Sequence, residues 1–417
     1  MTGHDASVVV VGAGPVGLTA ALALARANVD VLVVEQLDEP STEWRASTFH
    51  PPTLEMARTL GIADRMLEQG LRANRAQYRD RSTGVFADFD LSVLARDTDY
   101  PFRLQLEQYK YVRILLEELA ASAPTVEVRF GCSVERVIDV ADGVELGTAD
   151  GGVLRAPWVV AADGARSTIR KALEVSFEGT TYEHRYLVLS IDYPLETALP
   201  GICEVNYVAD PDEHLLLLRV PDLWRVVLSV PPGVGNEEAV SREYVRERLR
   251  LLVEDRVELP VVEAKVYSVH QRVADTFRRG RHLLIGDAAH INSPMGGMGL
   301  NSGIHDAYDL GIQLARVVRG EAADDVLDEW ATRRRRVARE EILRLTHGTT
   351  NALAEDSEES REEYQRRMSS IARDPEAARD WLLESSMISH VRRHRIPGSG
   401  LYGEAVGAAH DHGRRGE

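Results

Sequence analysis

The chain has 417 residues, 44% of them hydrophobic and 28% charged, with 66 acidic against 49 basic side chains and a formal net charge of −17 at pH 7. That length predicts about two domains, or one large α/β domain carrying an insertion, and the acidity argues against nucleic acid or an anionic membrane as partner. No apolar run approaches the roughly 20 residues that cross a bilayer, and the start lacks a basic stretch ahead of an apolar one, so a cytoplasmic enzyme acting on a small molecule is expected.

In chain order, Ser7 to Val11 is a continuous apolar run of the kind found in a strand covered on both faces. Gly12, Gly14, Pro15 and Gly17 follow at once, then Leu18, Ala21, Leu22 and Ala25 recur at helical spacing, with Asn28 as a left-handed stop. Val31 to Val34 is a second strand ending in Glu35. Glycines between strand and helix let the helix amino terminus approach a pyrophosphate, and an acid after the second strand accepts ribose hydroxyls. An adenine dinucleotide is therefore predicted at this βαβ unit.

A helix is predicted from about 105 to 120, then short strands around 126 to 148 and another strand, turn and helix in "APWVVAADGARSTIRKAL". Residues 182 to 271 change character, with closely spaced strand signals that predict an antiparallel sheet inserted in the α/β frame. "RHLLIGDAAH" returns to the buried-strand pattern, and "GDAAHINSPMGGMGLNSG" (286 to 303) places five glycines before a helical stripe of Ile304, Ala307, Leu310, Leu314 and Val317, stopped by Gly320. So much bare backbone implies that something is approached closely. Beyond 320 the chain reads as charged helices, with "RRRR" at 333 to 336 on a solvated face. Cys132 and Cys203 read as two buried, reduced thiols, and no metal site is predicted.

Three separated motifs carry a resemblance: the glycine turn at 12 to 17; Asp163-Gly164-Ala165-Arg166-Ser167-Thr168-Ile169-Arg170; and Gly286-Asp287-Ala288-Ala289-His290 with Pro294, Gly296, Gly297, Gly299 and Asn301 beyond it. Over roughly residues 7 to 345 the chain resembles the para-hydroxybenzoate hydroxylase-like family of single-component, FAD-dependent (class A) aromatic monooxygenases. That resemblance implies a Rossmann-like FAD-binding domain of glutathione-reductase type (1–75, 101–181 and 272–345), an inserted antiparallel-sheet substrate domain (76–100 and 182–271) and a helical C-terminal segment (346–417). It implies FAD as cofactor, NADPH or NADH as co-substrate, and hydroxylation of a phenolic or related aromatic substrate by O2 through a flavin C4a-hydroperoxide. A reductase or dehydrogenase, an epoxidase or a Baeyer–Villiger oxygenase on the same fold is the alternative. A monomer or homodimer is expected.

Residue by residue, the resemblance puts Gly12, Gly14, Pro15, Gly17, Glu35, Arg45, Gln108, Asp163, Gly286, Asp287, Pro294, Gly297, Gly299, Leu300 and Asn301 at the cofactor, Asp287 on a ribityl hydroxyl and Pro294 beside the reactive oxygen. Gln105 competes with Gln108 for one cofactor contact, and Arg166 and Arg170 either serve the cofactor or pin their loop. His50 and Pro52 depart from the residues relatives often carry there. Candidates for activating the substrate are Tyr207, His214, Arg219 and Arg225 on the sheet and His50 on the flavin side. His290 is read as a hydrogen-bonding part of its motif.

Overall fold

A computed structural model describes residues 4–209, 215–250, 252–253, 259–342 and 358–402. The short hydrophobic runs build a six-stranded sheet in the order 278–279, 282–284, 158–161, 8–11, 31–34 and 126–129, parallel throughout except for its edge pair 278–279 and 282–284. Val8–Val11, Val31–Val34 and Trp158–Ala161 are buried at every position, which is why they read as unbroken apolar runs. The helix Pro15–Arg26 crosses from the first strand to the second, and Asn28 takes the left-handed conformation (φ 56°) after it. Against it packs Met298–Val318, so closely that a Cβ on Gly311 would stand 2.4 Å from the Ala23 methyl.

A second sheet has eight strands in the order 290–291, 261–274, 177–191, 224–230, 215–219, 205–209, 75–80 and 84–90. One pairing departs from the antiparallel expectation: Val205–Ala209 runs parallel to Arg75–Asp80, which brings the segment near residue 80 to the sheet's edge. The strands Phe177–Ile191 and Val261–Ala274 run through positions 181 and 272 and pair with each other in this sheet from end to end. Period-two alternation divides this sheet. Leu187, Leu189, Leu215, Leu217, Val226 and Leu228 face the helix Arg242–Arg250 through Val245 and Leu249. Tyr186, Tyr207, Leu216 and Val227 face the other way and share one apolar cluster with Met295 of the glycine-rich segment.

Other differences have local causes. The helix expected from 105 starts at Gln108, because Arg103–Gln105 pairs as a strand with Thr48–Phe49 and Leu71–Ala73. The arginine run is not a solvated face: Arg334 is buried on Asp306 (2.6 Å) and Arg333 holds the buried Asp309 (2.8 Å). The helix Met298–Val318 is accordingly buried on its polar side too, at His305, Asp306, Asp309 and Gln313. Cys132 and Cys203 are free thiols but only half-buried. The helices Glu358–Arg373, Pro375–Ser385 and Ile388–Arg393 cover the 75–90 edge of the second sheet through Tyr364, Met368, Leu382 and Ile388. Among the described residues no helix is long and apolar enough to cross a membrane.

Candidate active site

At the glycine turn the protein's own packing demands two of the three glycines. Gly12 has φ 109°, and a Cβ there would stand 2.4 Å from the Ala162 carbonyl oxygen; at Gly17 it would stand 2.0 Å from that of Gly12. At Gly14 nothing lies within 4 Å, so one side of the turn is open. No side chain caps the helix that begins at Pro15, which leaves its first-turn amides available to an anion. Glu35 is drawn onto the same turn, Oε2 accepting from the Ala13 amide (2.8 Å) and Oε1 from that of Leu37 (3.1 Å). Each carboxylate oxygen retains a second acceptor direction.

The five glycines of 286 to 303 divide between two tasks. Cβ atoms on Gly286 and Gly303 would press on the Val16 side chain, at 3.1 and 2.8 Å, so these two let the long helix meet the glycine turn. Gly296, Gly297 and Gly299 shape the loop itself; Gly297 (φ 67°) begins the helix with no side-chain cap, and a Cβ on it would sit 2.9 Å from the Thr48 Cβ. Asp287 is exposed although protein surrounds it, the position of a side chain on the floor of a cleft. That enclosure pushes its carboxyl above the usual range, opposed by the charges of His290 and Arg45.

Buried polar side chains lock this loop. Asp306 accepts from the Gly286 amide (3.2 Å), His290 Nε2 (2.7 Å) and Arg334 Nε (2.6 Å). Burial would raise its carboxyl, but Arg334 and His290 outweigh it and hold the group below the usual range. Asn301 is saturated within the protein: Oδ1 accepts from the His50 amide (2.9 Å) and Thr53 Oγ1 (2.6 Å), and Nδ2 donates to the carbonyls of Thr48 (2.8 Å) and Gly297 (2.6 Å). Arg170 donates to the Ala288 carbonyl (2.9 Å) and its own Ala165 carbonyl (2.8 Å), which pins the loop. His290 thus has the hydrogen-bonding place expected of it.

The two sheets meet at a seam beside Pro294, which is itself exposed. Thr48 donates to Gln105 Oε1 (3.0 Å), and His50 Nε2 lies 2.9 Å from the Gly296 carbonyl. Because a carbonyl only accepts, that ring nitrogen carries the proton and Nδ1 is left as an acceptor. Burial, with Arg103 nearby, lowers His50 to about 3, so the ring is neutral. From the second sheet, Arg103 Nη1 is met by Tyr207 Oη (3.2 Å), Arg225 reaches the Arg45 carbonyl, and Tyr267 Oη donates to the Trp44 carbonyl (3.2 Å).

The predicted residues stand in two groups. Gly12, Gly14, Pro15, Gly17 and Glu35 form one; Asp287, Pro294, Gly297, Gly299, Leu300 and His50 form the other, with Arg45 near Asp287. Gln108 heads its helix, half-exposed, and Asp163 accepts from the Ile169 amide (3.1 Å) while its Oδ1 has no partner. Arg219 lies over Trp224 (5.9 Å), and His214 lies outside the described residues. Sequence reasoning missed Arg103, Asp306 and Arg334. For Arg103 the only available signal was the alternation of Arg103, Leu104 and Gln105; for the ion pairs it was the coincidence of acids inside one helix with arginines inside another.

The comparisons with known proteins decide the class. The family described as "FAD binding domain" matches residues 5–344. The chain belongs to this family of FAD-dependent monooxygenases. This chain is 35% identical over 353 residues to para-nitrophenol 4-monooxygenase of Pseudomonas sp. strain WBC-3, covering 83% of this chain and 85% of that protein. It is 33% identical over 385 residues to 6-hydroxy-3-succinoylpyridine 3-monooxygenase of Pseudomonas putida strain S16, covering 90% and 96%. The crystal structure of p-nitrophenol 4-monooxygenase from Pseudomonas putida DLL-E4 superposes with a TM-score of 0.86 at 34% identity, covering 91% of this chain and 98% of that one. As a monooxygenase of this family the chain is an FAD-dependent enzyme of mixed α/β fold.

Proposed function

We propose that this chain hydroxylates a phenolic aromatic compound with NAD(P)H and O2, using FAD laid along the cleft between the glycine turn and the 294–297 loop. The observation that carries this reading is the meeting of that loop with a row of side chains, Tyr207, Leu216, Val227 and Val188, that face one another across adjacent strands of the second sheet. An apolar wall beside a backbone-lined loop suits a flat aromatic ring. The relatives' names point the same way: para-nitrophenol and pentachlorophenol are both substituted phenols.

The residues present fit the cofactor. The open side of Gly14 and the uncapped turn at Pro15 suit its pyrophosphate, the spare acceptor directions of Glu35 suit a ribose, and Asp287 on the cleft floor suits a ribityl hydroxyl. Bound FAD would take a hydride from NAD(P)H and activate O2. The uncapped helix at Met298 directs its positive end toward charge that develops on the ring, and Asn301, Asp306 and Arg170 keep the loop in that pose. Met295 and Tyr207 exclude water where oxygen is transferred. On this reading the six-stranded sheet belongs to the Rossmann-like frame, 1–75, 101–181 and 272–345, and most of the eight-stranded sheet to the inserted substrate domain, with the strands 177–191 and 261–274 running across the two bounds.

Turnover of the purified yellow protein under isotopic dioxygen tests this. One labelled atom per product molecule, with one NAD(P)H consumed, is the expected result. Unlabelled product, or NAD(P)H oxidation that no phenol stimulates, would leave a reductase in its place.

A further inference from the structure

The face of the eight-stranded sheet turned away from the 294–297 loop carries a cavity of about 390 Å³. Val208, Leu215 and Leu217 line it from two adjacent strands, and Leu199, Ile202 and Leu252 line it from outside the sheet. Alternation along the strands sets it apart from the apolar wall described above: Val208 follows Tyr207, and Leu215 and Leu217 flank Leu216, so cavity and wall lie on opposite faces of the same two strands. A largely apolar hollow of this size, with a few polar groups in its lining, has the make-up of a small-molecule site.

The charged residues in that lining are Arg79, Asp80 and Arg81. Arg79 ends a cross-strand row that is apolar up to it, since Leu228 pairs with Leu215, Leu215 with Val208 and Val208 with Arg79. Among the described residues Arg79 forms no ion pair, and Nη1 alone is engaged, donating to Gln77 Oε1 (2.8 Å) and the Gly201 carbonyl (3.0 Å). Nε and Nη2 make no hydrogen bond, and neither is sealed from water. Those two N–H groups form the side-on fork that meets a carboxylate with two parallel bonds. Burial holds the guanidinium below its ordinary value, a cost that an anion on the fork would offset. Asp80 does not supply that anion: Oδ1 accepts from the amides of Ser82 (2.9 Å) and Thr83 (2.9 Å), and Oδ2 from Gln365 Nε2 (3.2 Å). Asp88, the other acid near Arg79, is taken by Arg75 and by Gln77 Nε2 (3.0 Å).

We propose that this cavity is a second ligand site, separate from the Tyr207 face, for a small amphipathic acid: an apolar body seated on Val208, Leu215 and Leu217, with one carboxylate on the Nε and Nη2 groups of Arg79. A carboxylate fits that fork with two charge-assisted bonds and a neutral hydroxyl does not, which separates this ligand from the phenol proposed for the opposite face. The occupant bears on strands 205–209 and 215–219 from behind, the same strands that present Tyr207 and Leu216 to the other side.

The test is calorimetric titration of the FAD-loaded enzyme with 2-naphthoate and, in parallel, with the uncharged 2-naphthalenemethanol. The acid should bind roughly 10-fold or more tightly than the alcohol. Arg79→Met should weaken the acid about 10- to 100-fold and leave the alcohol nearly unchanged. Ala198→Trp, which fills the cavity from its lining, should abolish binding of both, and FAD content and flavin spectrum should stay as in the wild type in either variant. Should Arg79→Met fail to fold, Arg79→Lys decides: it keeps the charge and loses the fork, so the acid weakens several-fold while the alcohol does not. A wild type that takes up no naphthoate, one that binds acid and alcohol equally, or a naphthoate affinity indifferent to both substitutions overturns the proposal.

Discussion

The glycine-rich frame and the eight-stranded sheet do opposite things with their polar groups. In the frame, contacts to a ligand are offered by backbone: uncapped helix starts at Pro15 and Met298 and glycines whose missing side chains leave surface open. Behind the glycine-rich loop the buried charges are paired, Asp306 to Arg334 and His290, Asp309 to Arg333. At the seam with the second sheet the reverse holds: the backbone is paired in strands, and the side chains of Arg103, Gln105 and His50 are left with unmet atoms.

That contrast is sharpest in stability. Asp306→Ala strands Arg334 and His290 in the interior and should lower the unfolding free energy by about 3–5 kcal/mol, measured by denaturant titration. A loss below about 1 kcal/mol would mean the pair is not what holds the loop. The next effect falls on the cofactor. Gly12→Ala forces a side chain into φ 109° and against the Ala162 carbonyl; with roughly 1–3 kcal/mol of strain at the turn, FAD should bind about 10- to 100-fold more weakly by fluorescence titration. At the seam the change should be small and can have the opposite sign: Arg103→Met removes a buried charge that has no ion pair among the described residues, so its melting temperature should equal or exceed the wild type's.

The same contrast explains what was legible in the sequence. The frame could be read because its function rests on glycine positions, whose spacing is fixed along the chain: Gly12, Gly14 and Gly17 after Val8–Val11, then Glu35, all found where a βαβ unit puts them. The reading of 286 to 303 was right about close approach and incomplete about the object, since Gly286 and Gly303 admit Val16 rather than a ligand. The arginine run at 333 to 336 was misread because its partners Asp306 and Asp309 are more than twenty residues away on another helix, where each charge looks solvated by itself. Arg103 was illegible for the same reason. Its hydrogen-bond partner is Tyr207, 104 residues further on.

The account's central claim is that one cleft joins the frame to the Tyr207 face of the second sheet. A crystal structure of the FAD-loaded enzyme with a phenol bound tests it most directly. The account predicts the flavin ring against residues 294–299 and the phenol between Met295 and Tyr207. A ring seated away from that loop, or a phenol on the opposite face of the sheet beneath the helix Arg242–Arg250, would contradict it.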